Sequence, residues 1–91
     1  MTPMLKIELT NAIKKDLKKY RHQKEVLYEL QKILELLVHK RSLPAKHRDH
    51  NLTGNWANHR ECHVKNDALL IYKIEDDLLF LTRFGSHSEL F

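Results

Sequence analysis

The run Leu69-Leu70-Ile71-Tyr72-Lys73-Ile74 constrains this chain most, because it is apolar at every position but one. A strand with water on one face alternates apolar and polar residues. A strand that does not alternate needs cover on both faces. The run therefore predicts a central strand with partners on either side. Residues 59–65 supply one, with Arg60, Cys62 and Val64 on one face and Glu61, His63 and Lys65 on the other. Leu78–Phe84 supplies the second, after the acidic turn Glu75-Asp76-Asp77. Asn66-Asp67 is a tight turn between the first two, since both residue types tolerate turn backbone.

Upstream, Leu5, Ile7 and Leu9 alternate with Lys6 and Glu8 as a short strand. Thr10 reads as the N-cap of a helix carrying Ile13, Leu17 and Tyr20 on one side and Lys14, Lys15, Lys18 and Lys19 elsewhere. Val26, Leu27, Leu30, Ile33, Leu34, Leu37 and Val38 form the apolar stripe of a second helix, which Glu29 and Lys32 support with a weak pair. Pro44 disfavours helix at Leu43, so this helix is expected to end near Lys40–Ser42. Lys46 to Asn58 loses all periodicity and reads as a long loop, often a functional feature in a compact domain. The order is β-α-α-β-β-β, an α+β fold of two N-terminal helices packed on an antiparallel sheet, in one domain spanning 1–91.

A chain of 91 residues has room for one such domain. No stretch reaches the ~18 apolar residues of a membrane span. Met1 to Thr10 lacks the charged-then-apolar layout of a secretory signal, so cytoplasmic action without a membrane partner is expected. Cys62 is the only cysteine, which excludes an intramolecular disulfide and a four-cysteine zinc site. Residues 1–48 carry a net +7 and residues 49–91 a net −3. That asymmetry fits either a polyanion partner or a solvated helix face.

The meander also locates the chemistry. Its last strand returns Arg83 to the end holding His63 and Asp67; if Ile74 pairs with Leu78, Arg83 falls across from Leu69. His87 lies just beyond, and the loop with His50 and Trp56 feeds the first strand of the meander. Histidine serves as acid or base at neutral pH, and arginine grips two phosphate oxygens at once. RNA cleaved by its own 2′-hydroxyl needs a base, an acid and a cation, and no metal. Taken singly, these residues have ordinary uses. His22 and His39 read as surface residues on helices, and His47 and His59 as solvated. Asp67 reads as a turn residue, Arg83 as a salt-bridge partner, Trp56 as a plug under its loop, and Tyr72 and Phe84 as packing. His59-Arg60-Glu61 lacks the cysteine half of a zinc-deaminase signature, and His47-Arg48-Asp49-His50 lacks further ligands.

The ordered set His50-Asn51-Leu52-Thr53-Gly54-Asn55-Trp56, Arg60-Glu61-Cys62-His63-Val64, Asp67, Leu70-Ile71-Tyr72 and Arg83-Phe84-Gly85-Ser86-His87 resembles the YafQ-type toxins of the RelE/ParE superfamily of type II toxin–antitoxin systems. The likeness covers residues 48 to 91 closely and the helical half in layout and basic character. It implies a ribosome-dependent mRNA endonuclease acting in the ribosomal A site, with active-site positions His50, His63, Asp67, Arg83, His87 and Phe91. His87 would be the general acid, and Asp67 or His50 the base. His63 would position or polarise, Arg83 would stabilise charge on phosphorus, and Phe91 would orient the substrate. The products would be a 2′,3′-cyclic phosphate and a 5′-hydroxyl, with no cofactor. Lys14, Lys15, Lys18, Lys19 and Arg48 become rRNA contacts. The resemblance also implies a DinJ-like antitoxin, through which alone DNA would be touched. The chain departs from the family at Ala68, where a bulky residue is frequent, and at Asn66, where proline is frequent. Two further readings stand beside the nuclease: a non-catalytic gyrase-binding toxin like the ParE branch, and a metal-binding protein using the histidine cluster.

Overall fold

A computed structural model describes residues 4–91; residues 1–3 of the expected domain lie outside the described residues. The elements are β1 (Lys6–Leu9), α1 (Asn11–Lys18), α2 (Lys24–Val38), β2 (His50–Asn51), β3 (Arg60–Lys65), β4 (Ala68–Glu75), β5 (Leu78–Gly85) and α3 (His87–Leu90). The strands form one sheet in the order β1-β5-β4-β3-β2, with β4 inside it as its apolar run requires. The α+β class and the β3–β4–β5 meander are as expected. The sheet is mixed rather than wholly antiparallel, because β1 runs parallel to β5 with Lys6 opposite Leu78 and Leu9 opposite Leu81. The chain leaves β1 through two helices, the kind of crossover that parallel pairing needs.

Both faces of β4 are covered, by different material. On the helical side Ile13, Val26, Leu30 and Ile33 pack against Cys62, Leu70, Tyr72, Leu79 and Phe84. On the other side Leu69 and Ile71 are buried beneath Leu90, Leu52 and Trp56. Ile74 is the exception and stays exposed. β3 begins at Arg60, opposite Tyr72, so β4 outruns its neighbour before Ile74 is reached.

The ends of the elements follow from local chemistry. Thr10 Oγ1 accepts the Ile13 N–H at 3.0 Å, capping α1. α2 stops at Val38, earlier than the proline suggests, because Lys40 takes a left-handed backbone (φ 58°). Lys40 N–H then donates to the Leu37 carbonyl and Arg41 N–H to the Leu36 carbonyl, the paired closure of a Schellman motif. Two-residue turns at Asn66-Asp67 and Asp76-Asp77 connect the meander, with Asn66 and Asp76 at positive φ. Ser86 and Glu89 form a reciprocal capping box that starts α3. Gly85 lets α3 fold back closely, since an added Cβ there would lie 3.0 Å from Glu89 Oε1.

Candidate active site

Directly paired residues of an antiparallel ladder share a face. His50 pairs with Glu61, Glu61 with Ile71, and Ile71 with Arg83, so one row crosses four strands. At ~4.8 Å per strand, the Cα atoms of His50 and Arg83 stand roughly 14 Å apart. The next row is His63, Leu69 and Gly85. Arg83 is therefore opposite Ile71, not Leu69 as the simple ladder suggested. The hairpin pairs Ile74 with Leu79, and a bulge at Ile71/Tyr72 leaves Thr82 between Leu81 and Arg83. One extra residue reverses the face of everything after it. Without the bulge, Arg83 would point toward the helical core.

Glu61 is the site residue that sequence reasoning missed. Strand alternation put it on the face away from the core, where a charge attracts no notice. In the fold it is only 5% exposed. Its Oε1 lies 3.3 Å from His63 Nε2 and 3.8 Å from His50 Nε2. Neither contact has hydrogen-bond geometry, so Glu61 acts on the two rings as a nearby charge. His50 is tied from behind as well, its Nδ1 lying 2.6 Å from the Arg48 carbonyl. A carbonyl only accepts, so Nδ1 carries the hydrogen and the neutral ring keeps its lone pair on Nε2.

The strand bearing His50 is clamped by its flanks. Asp49 accepts the Tyr72 hydroxyl at 2.6 Å and Arg60 Nε at 3.1 Å, while Arg60 Nη1 donates to Asn51 at 2.7 Å. Burial first, then this bond, pushes the Tyr72 phenol up. Its bond to Asp49 chiefly drives the Arg60 guanidinium higher still. Tyr72 thus adds a hydrogen bond to its packing role. His47, expected to be solvated, is buried instead. Its Nδ1 lies 2.7 Å from the His63 carbonyl, on the stretch of β3 that β2 does not reach. His59 is half-buried, edge-on to Trp56, and Trp56 packs under its loop. His22 lies in the turn between the helices and His39 caps α2, both exposed.

The other end of the face holds Asp67, His87 and Phe91. Asp67 Oδ1 faces the His87 amide at 3.5 Å, so the turn residue also touches the start of α3. The His87 and Phe91 rings lie 5.0 Å apart on exposed positions of the C-terminal arm. Arg83 joins neither group directly. Its Nε and Nη2 donate to the two Asp16 oxygens at 2.7 and 3.1 Å, and this hydrogen bonding to Asp16 is the main cause of its raised pKa. The Arg83 side chain stays 29% exposed. Asp16 was also missed, being the lone acid in a lysine-rich helix.

Lys14, Lys15 and Lys18 form no ion pair among the described residues, whereas Lys19 pairs with Glu89 at 3.5 Å. Arg48 lines a cleft of about 460 Å³ beside His63, with Lys46 and Lys65. Among the described residues no group of three His, Cys, Asp or Glu is arranged to hold a metal, and no helix is long and apolar enough to cross a membrane.

Comparison with known proteins gives one answer. Residues 5–91 match the family model for the bacterial toxin of type II toxin–antitoxin systems, YafQ. The mRNA interferase toxin YafQ of Escherichia coli is 37% identical over 86 residues, spanning 93% of this chain and 94% of the relative. A metal-bound toxin from Helicobacter pylori superposes with a TM-score of 0.87 at 43% identity, over 97% of this chain and 100% of that one. The toxin in the E. coli DinJ–YafQ complex gives 0.84 at 36% identity, over 97% and 98%.

Proposed function

The chain belongs to the YafQ family of bacterial toxins of type II toxin–antitoxin systems, and from that premise we propose that it is an endoribonuclease cutting mRNA in the A site of the translating ribosome. The observation that carries this reading is the shared sheet face of His50, Glu61, His63 and Arg83, with His87 on the arm that follows. Base, acid and cation stand on one surface.

His50 is the base. Its Nδ1 is committed to a carbonyl, which leaves Nε2 to take the proton of the 2′-hydroxyl. The freed oxygen attacks phosphorus, and Arg83 faces the charge that develops there. His87 gives a proton to the departing 5′-oxygen. Glu61 attracts the imidazolium that His50 becomes on taking the proton, His63 lies against the same carboxylate, and Asp67 holds His87 through its amide. Phe91, beside the His87 ring, stacks on a base, worth ~1–3 kcal/mol per base. The products are a 2′,3′-cyclic phosphate and a 5′-hydroxyl. Lys14, Lys15, Lys18 and Arg48 meet rRNA phosphates. A DinJ-like antitoxin neutralises the toxin, by analogy with the E. coli complex.

No step needs a metal. The metal in the H. pylori toxin belongs to that protein. In this chain the base is the free lone pair of His50 Nε2, so toxin treated with EDTA and then freed of it should cleave on ribosomes as fast as untreated toxin. End-group analysis of mRNA cut on programmed ribosomes tests the chemistry. The upstream fragment should resist periodate oxidation, and the downstream fragment should accept phosphate directly from polynucleotide kinase. Downstream ends already carrying a 5′-phosphate would overturn the mechanism.

A further inference from the structure

The nuclease reading uses Arg83 but assigns nothing to the carboxylate that holds it. Asp16 is 5% exposed, and it sits where the sheet runs out of strand. β1 accompanies β5 only to the pair Leu9–Leu81. There Thr10 closes the edge, its N–H donating to the Leu81 carbonyl and its Oγ1 to the Thr82 carbonyl. Beyond that point the Phe84 amide faces α1 instead of a strand. Asp16 Oδ2 accepts it at 3.0 Å, replacing a strand carbonyl. The same carboxylate then takes Arg83 Nε and Nη2 side by side. The grip leaves Nη1 without a protein partner among the described residues. Three and four residues on, Lys19 and Tyr20 reach Glu89 of α3, the arm bearing His87.

We propose that Asp16 is a positioning residue for phosphate recognition: it fixes the Arg83 guanidinium by one edge so that the other meets the scissile phosphate of RNA without first being ordered. This inference rests on the nuclease reading. Arginine has a long flexible stem, and ordering it before substrate arrives removes that cost from the reaction. The alternative role is electrostatic and has the opposite sign. Removing a negative charge beside a phosphate site should strengthen RNA binding and help cleavage.

Asp16→Asn separates the two, since it keeps size and an acceptor for Phe84 but loses charge and one of the two acceptors for Arg83. Single-turnover cleavage on programmed ribosomes should fall at least tenfold, with ribosome affinity unchanged or tighter. In an Arg83→Ala background the same substitution should change the rate less than twofold. A rate equal to or above that of the parent, or an equal loss in both backgrounds, would overturn the proposal. NMR of the unsubstituted chain needs no variant to fold: the Arg83 Nε–H signal should exchange slowly with water. Fast exchange would contradict the positioning role by itself. Failure of the unsubstituted chain to cleave at all would instead sink the nuclease reading, leaving the NMR result to stand or fall separately.

Discussion

A carboxylate that is 5% exposed, with two imidazole nitrogens within 4 Å, packs against both rings and attracts either one once it carries a second proton. Glu61→Gln keeps the shape and removes the charge. Its effect therefore reads the electrostatic share, and we expect single-turnover cleavage to fall roughly tenfold to a hundredfold, within the range for positioned acid–base groups. A change under twofold, with circular dichroism unaltered, would show that Glu61 only fills space. Cys62 tests the other face of β3. It is fully buried, and burial pushes its thiol up to about 12. The folded state thus retains a proton that the unfolded thiol gives up. That contribution to stability is complete below the ordinary value of 9.0 and falls away as pH rises toward about 12. Accordingly, a chromogenic disulfide reagent at pH 8 should label Cys62 only after denaturant is added; labelling of the native chain would contradict its burial. These two neighbours also show what the sequence can reveal. Cys62 was readable as a core residue from alternation alone. Glu61 was not, because its burial depends on His50 belonging to a two-residue strand that carries no periodicity of its own.

Elements with a long pattern were legible, and elements fixed by a few hydrogen bonds were not. The α2 stripe and the apolar β4 run identified themselves, as did the alternation of β3. α3 has one turn and no stripe; its only sign is Ser86 with Glu89 three residues later, a capping box in miniature. The bulge that turns Arg83 outward leaves no mark in composition, since Thr82 and Arg83 both suit a strand. The parallel placement of β1 depends on the crossover and not on the residues of β1. The short helix carries a consequence. Ser86→Ala removes a side-chain acceptor for the Glu89 amide and should destabilise the cap by about 1 kcal/mol. Because α3 bears His87, cleavage should drop while the global melting temperature hardly moves. A large loss of melting temperature would mean that α3 is integral to the core. Acid should fray the same cap. The Ser86 amide, above all, holds the Glu89 carboxyl below its ordinary value of 4.5. Its stabilisation is full above that value and is lost as pH falls through the lowered one. Amide protection factors at Ser86 and Glu89 should fall as pH drops across that interval and stay flat above it.

For the whole molecule, charge is divided along the chain, and the proposed reading gives docking to one half and chemistry to the other. The N-terminal half carries a net +7, and Lys14, Lys15 and Lys18 point away from the α1 face that holds Asp16. Replacing any one of these lysines by glutamine should weaken ribosome binding and lower the salt slope of affinity by about 1, while the cleavage rate at saturation stays unchanged. A lower saturated rate would place that lysine in the chemistry instead. Both halves meet at α1: its buried Asp16 fastens Arg83, Lys19 and Tyr20 just past it reach Glu89 of α3, and Lys14, Lys15 and Lys18 form no ion pair among the described residues. The central claim is that the assembled face cuts mRNA only in the ribosomal A site. Primer extension of one mRNA in a reconstituted translation system, with EDTA-treated toxin, tests it most directly. The unsubstituted chain should give codon-phased stops only when ribosomes translate, and His87→Ala should give none. Equal cleavage without ribosomes, or cleavage by His87→Ala at the parent rate, would contradict it.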